Sequence, residues 1–187
     1  MRPPRPDVLT VSMQSFMRAA LAALLFLLLA EPSTARPAQV QTDRNLIAAA
    51  ERGDVVEVRA LLDHGAHIEA RDGQGRTALL AATHGNRVEA ARLLIDKGAD
   101  VNAKDSIKDT PFLYAGAEGR AEILKLTLAR ANLKDINRYG GTALIPAAHH
   151  GHVEAVKVLL GTAIDKDHVN NLGWTALLEA VILGDGG

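Results

Sequence analysis

An apolar residue that returns at a fixed interval constrains this chain more than any other feature. Leu46, Leu79, Phe112, Leu144 and Leu177 are separated by 33, 33, 32 and 33 residues. Four of them close a short recurring phrase: Thr77-Ala78-Leu79, Thr110-Pro111-Phe112, Thr142-Ala143-Leu144 and Thr175-Ala176-Leu177. A period in this range marks supersecondary units stacked in a row, each in contact with its neighbours, and argues against a globular topology of mixed contacts.

The stretch from Asp72 to Lys104 reads as one complete unit. Asp72-Gly73-Gln74-Gly75 is a turn sequence in which both glycines can take positive φ. Thr77 is placed to cap a helix over Ala78–Thr83, whose small residues allow close packing. His84-Gly85-Asn86 breaks that helix. A second helix follows over Val88–Asp96, with Val88, Ala91, Leu94 and Ile95 at three- and four-residue spacing and Gly98 as its stop. Ala99-Asp100-Val101-Asn102 then runs extended into the next turn.

These motifs resemble the ankyrin repeat family, whose unit has this length and opens with T-P-L-H-x-A-A. Thr110-Pro111 is the nearest match to that opening, and Gly65-Ala66 and Gly98-Ala99-Asp100-Val101-Asn102 match the family's G-A-D-V-N segment. The resemblance runs from about Gln39 to the end and implies an all-α solenoid of about four repeats plus a partial fifth. The units fall at about 39–71, 72–104, 105–136, 137–169 and 170–187.

Departures from the family pattern carry expectations of their own. The family's histidine after the leucine is replaced by Leu80, Leu113, Ile145 and Leu178, so apolar packing is expected in place of a Thr–His hydrogen bond. The third unit has Lys108 where the turn glycine belongs, Gly116 inside its first helix and Ala131 in place of the terminating glycine. It is expected to be the loosest joint. Pro146 falls late enough in the fourth unit's first helix to remove a helical hydrogen bond.

Composition narrows the function classes. Apolar residues make up 48% of the chain but aromatics only 3%, so the core is leucine, alanine, valine and isoleucine, which suits closely stacked helices. With 21 basic and 22 acidic residues and a net charge of −1, nothing points to a nucleic-acid partner. The absence of cysteine excludes disulfides, thiolate metal sites and a cysteine nucleophile.

Residues 1–35 read as a secretory signal peptide. Arg2, Arg5 and Arg18 precede the apolar run Ala19–Ala30, and the small residues Ser33 and Ala35 suggest cleavage after Ala35. The run is 12 residues long, short of the roughly 20 that a membrane span needs. An uncleaved anchor is the alternative. Residues 36–42 read as a polar linker, with the repeat domain over 43–187. The expected location is the periplasm, with no stable membrane anchor once the signal is removed.

No catalytic or cofactor constellation emerges. His149 and His150 are adjacent on a helix and point apart, so a converging metal site is not expected. Gly73-Gln74-Gly75 follows no strand and carries no Lys-Ser/Thr pair, which leaves turn chemistry as its reading. No serine sits in a nucleophile elbow.

The resemblance implies a concave groove lined by turn tips and by the exposed side of each inner helix, where ankyrin arrays bind proteins. Carried over by position, the candidate partner-binding residues are Gln74, Arg76, Lys104, Ile107, Arg138, Tyr139, Leu172 and Trp174 on or beside the tips. Arg52, His84, His149 and His150 are their counterparts on the helices. Ile107, Tyr139, Leu172 and Trp174 form an apolar row on exposed turns, and Tyr and Trp are enriched in binding hot spots. A non-enzymatic protein-binding module is the expected function, with no cofactor. A histidine-based enzyme and self-association through the apolar last helix, Leu177, Leu178, Val181 and Ile182, are the alternatives.

Overall fold

The computed structural model describes residues 35–184; the expected signal segment, up to residue 34, lies outside them. The chain divides into two compact units, Met1–Val40 and Gln41–Gly187. Of the first, only the opening of one helix is described. In the second, helices come in pairs. α1 (Ala35–Arg52) and α2 (Val55–Asp63) are followed by α3 (Ala78–His84) and α4 (Val88–Asp96), then α5 (Pro111–Ala117) and α6 (Ala121–Thr127). α7 (Leu144–His149) and α8 (Val153–Leu160) make the fourth pair, and α9 (Ala176–Gly184) stands at the fifth position. No strand occurs among the described residues.

The segment read as a linker, residues 36–42, is helical instead and forms the first turns of α1. Pro37 permits this because it lies among the first residues of the helix, whose N–H groups have no helical acceptor in any case. Gln41 Nε2 donates to Asn45 Oδ1 one turn later at 2.8 Å.

The recurring apolar residue forms a buried spine. Leu46, Leu79, Phe112 and Leu144 are 0, 0, 1 and 2% exposed and belong to one continuous core cluster. Each such burial is worth about 1.5–3 kcal/mol. Inner helices α3, α5, α7 and α9 pack in one row, and outer helices α2, α4, α6 and α8 in another. The spine ends at Leu177, which is 73% exposed because no outer helix follows α9 among the described residues. Leu80, Leu113 and Ile145 are buried where the family carries histidine, so apolar packing fills that position in three units. In the fifth, Leu178 is exposed.

Threonine caps start three of the inner helices. The Oγ1 atoms of Thr77, Thr110 and Thr175 accept from the backbone N–H of Leu80, Leu113 and Leu178 at 3.3, 3.0 and 3.2 Å. Their carbonyls accept from Ala81, Tyr114 and Glu179. The fourth unit cannot repeat this, because Pro146 occupies the position of those last three donors and has no N–H. The Thr142 carbonyl takes the Ile145 N–H instead, at 3.3 Å. Thr142 Oγ1, the atom that would have capped it, is left buried without a partner.

Every complete turn tip is built on one side chain. Oδ1 of Asp72, Asp105, Asn137 and Asn170 accepts two backbone N–H groups, two and four residues on, at 2.9–3.0 Å. This Asx turn puts the residue at the third place beyond it in the left-handed region. Gly75, Lys108, Gly140 and Gly173 stand there, with φ of 77°, 69°, 74° and 81°. Gly73, which is free to adopt that conformation, does not. Lys108 is the non-glycine occupant of the series, and its side chain costs the turn about 1–2 kcal/mol.

The third unit is loose at its tip and tight at its helix. Ser106 N–H donates to the Gln74 carbonyl and Asn171 N–H to the Tyr139 carbonyl, both at 3.0 Å. Among the described residues no such bond joins the third tip to the fourth. Gly116, one of the departures behind the expectation of a loose joint, is packed against the start of α7: a Cβ on it would lie 2.9 Å from Ala143 Cβ. The joint between the second and third units is bridged on the outer side, where the Asn102 side chain donates to the Arg130 carbonyl and accepts from the Asn132 N–H, and Arg130 Nη1 donates to the Ile95 carbonyl.

Candidate functional site

Tips and inner helices share one side of the stack, and there the fourth and fifth units leave a pocket of about 300 Å³. Tyr139 and Leu172 reach it from successive tips. Both are exposed, at 53% and 70%, because each follows its Asx residue by two places, where the turn projects a side chain outward. His149 and His150 come from the end of α7, and Ile145 and Pro146 from its start. Glu179 of α9 also lines the pocket.

A hydrogen-bonded pair lies within the pocket lining. His149 Nδ1 is 2.8 Å from Glu179 Oε2, with the glutamate nine-tenths buried and the histidine about half exposed. The His149 and His150 rings meet edge to face at 4.8 Å, so the two imidazoles do not converge on one point. His152 lies beyond, 5.8 Å from His150. Among the described residues no group of three or more His, Asp or Glu side chains is placed to hold a metal ion.

Four of the sequence candidates therefore meet in one place: Tyr139, His149, His150 and Leu172. Arg138 stands beside them, its guanidinium 4.8 Å from the Tyr139 ring centroid, a cation–π arrangement. Trp174 is half-buried and does not line the pocket.

The remaining candidates lie apart, several already engaged within the fold. Arg76 is a clasp between the first two units. Its Nε donates to Asp72 Oδ2 at 2.8 Å and its Nη1 to Glu51 Oε1 at 3.0 Å, with 16% of the side chain exposed. Burial works to raise the Asp72 carboxyl, but hydrogen bonds from Arg76 and from the Arg76 and Gln74 backbone bring it below its usual value. Lys104 pairs with Asp135 at 3.2 Å, and Arg52 with Glu57 at 2.6 Å. Gln74 and Ile107 are exposed on their tips. His84 is stacked on Tyr114.

Two site features went unseen in the sequence. Glu179 was one, although a signal was present: it is the sole charge in the α9 sequence ALLEAVILG, at the position held by Ala48, Ala81, Tyr114 and Pro146 in earlier units. Tyr114 was the other, its register relation to His84 masked by the repeat boundary between them.

Comparison with known proteins places this geometry in context. A family model described as ankyrin repeats (3 copies) matches residues 16–105 and 111–186. The chain is 38% identical over 143 residues to the ankyrin repeat protein YahD of Escherichia coli strain K12, covering 75% of this chain and 71% of that one. Among solved structures, an ankyrin repeat domain from Acinetobacter baumannii AYE is 55% identical with a TM-score of 0.72, over 76% of this chain and 73% of that one. The ankyrin repeat protein EF0377 is 48% identical with a TM-score of 0.69, over 73% and 71%.

Proposed function

The chain belongs to the ankyrin repeat family, and from that premise we propose that it is a non-enzymatic module, exported to the periplasm, that grips a protein partner through its tips and inner-helix face. Ankyrin repeats are in general protein–protein interaction modules, and family and fold are generally non-enzymatic. One observation carries the assignment to this face: Tyr139 and Leu172, large apolar side chains on exposed tips, border the same pocket as His149 and His150. Such groups cost solvation while exposed and contribute most when a partner covers them.

The export reading rests on the basic, apolar and small-residue order of residues 2–35. Cleavage after Ala35 would leave α1 intact but for its first residue. Fractionation of cells that express the full chain tests it, with the processed protein expected in the periplasmic fraction and recovery in the cytoplasm contradicting it. For the binding face, the test is capture of partners from periplasmic extract by the wild type and by Tyr139→Ala/Leu172→Ala. Both positions are exposed, so the fold is retained, and even one hot-spot residue is worth roughly thirtyfold in affinity. Equal capture by both proteins would overturn the assignment.

A second reading has its own observation. Leu177, Leu178, Val181 and Ile182 are 73, 46, 56 and 55% exposed on α9, a face that could associate with a second copy. Sedimentation across a concentration series decides it, since a single monomeric species throughout would exclude self-association.

A further inference from the structure

Glu179 is the carboxylate in the lining of this pocket. It is 6% exposed, and burial of a carboxylate is expensive unless its acceptor positions are filled. Oε2 accepts from His149 Nδ1 at 2.8 Å, while Oε1, which is not fully buried, is left accessible and without a protein partner among the described residues. The glutamate lines the pocket, and no lysine or arginine lines it with it. Around this anion the walls are largely apolar: Ile145, Pro146, Leu172 and the Tyr139 ring. The volume of about 300 Å³ stands at the small end of ligand pockets, enough for one side chain and too little for a folded segment.

We propose that this pocket receives a lysine or arginine side chain of the protein partner. The aliphatic stem lies against Ile145, Pro146 and Leu172, and the cationic head donates to Glu179 Oε1. Such side chains bury an apolar stem while carrying a charge at the tip, which matches walls of one kind and a single anion of the other. Charge-assisted hydrogen bonds to a desolvated carboxylate are the stronger kind. The proposal rests on the reading of this face as a protein-binding surface, and it adds the chemistry that the partner presents there.

The test uses the full chain and capped tripeptides Ala-X-Ala with X as lysine, arginine or norleucine, followed through the methyl resonances of Ile145 and Leu172. The lysine and arginine peptides are expected to shift both residues. Norleucine, which keeps the stem and drops the charge, should bind roughly tenfold more weakly, the size of one charge-assisted hydrogen bond. Glu179→Gln should remove that preference while norleucine binding stays unchanged. Equal binding of lysine and norleucine peptides by the wild type, or no binding by either, would overturn the proposal without recourse to a variant. Spermidine is a further arm, and tighter binding of it than of any peptide would assign the pocket to a free polyamine instead. Partner capture that depends on Tyr139 and Leu172 but not on Glu179 would retain the broader reading and reject this one.

Discussion

His84 and Tyr114 stack face to face across the second and third units, with ring centroids 3.8 Å apart and planes 8° from parallel. The contact holds the imidazole in a poorly hydrated place, and His84 Nε2 is buried without a partner. Burial first, and then the charge on Arg76, hold His84 below its usual value of 6.5, against opposing pulls from Asp105, Glu51 and Glu118.

A pH dependence of stability follows, with a definite sign. Between the lowered folded value and 6.5 the unfolded chain binds more protons than the folded one, so stability rises with pH across that window. The contribution of His84 is complete above 6.5 and is lost as pH falls through the folded value. Urea midpoints at about pH 7.5 and about pH 5.5 compare the two sides of 6.5. The drop between them should be smaller in His84→Phe, which keeps the stack and removes the titration. An equal drop in both proteins would show that His84 is not responsible.

Gly116→Ala should destabilise the fold even though alanine is the better helix former by about 1 kcal/mol. Its methyl would meet Ala143 Cβ at 2.9 Å and the Ala143 carbonyl oxygen at 3.2 Å. Overpacking of this kind costs about 1–3 kcal/mol, and the net loss should be visible as a lower denaturant midpoint. Adding Ala143→Gly should recover part of it, because the second change removes the opposing methyl. Without any recovery, the contact between the two helices is not the cause.

Pro146→Ala is expected to do the reverse. It restores an N–H for the Thr142 carbonyl, which frees the Ile145 N–H for Thr142 Oγ1, as in the other three capped helices. A gain of about 0.5 kcal/mol is expected, from one net hydrogen bond, since the Ile145 N–H only changes acceptor, less the entropy that proline removes from the unfolded chain. Thr142→Val then separates the parts. In the wild type it should cost little, since the hydroxyl is already unpartnered, whereas in Pro146→Ala it should cost the cap.

How much of this was legible without coordinates depended on whether a feature was local. The Thr77 cap, the α4 boundaries at Val88 and Asp96 and the positive φ of Gly98 follow from residues within one turn of each other. Lys108 was identifiable as the replacement for a turn glycine because its counterparts Gly75, Gly140 and Gly173 stand in register. Gly116 was misjudged by the same local reasoning, since its reason is a methyl group 27 residues away in Ala143. Residues 36–42 were misjudged because polar composition does not prevent a helix whose proline lies in the first turn. At the site, Tyr139 and Leu172 announced themselves as apolar residues on turns. Glu179 did not, because an acidic residue in a helix ordinarily faces water.

The amino-acid sequence by itself determined the repeat, its register, the spine from Leu46 to Leu144 and the turn side from which Tyr139 and Leu172 project. Capping, helix periodicity and glycine conformation act within a few residues, and a fixed period copies their result along the chain. Only the tertiary structure decided that His149 meets Glu179, that His84 meets Tyr114 and that Arg76 is held by Glu51 as well as Asp72. Those contacts join side chains from different units. They depend on the distance and rotation between neighbouring helix pairs, quantities set by how alanine and glycine faces pack together.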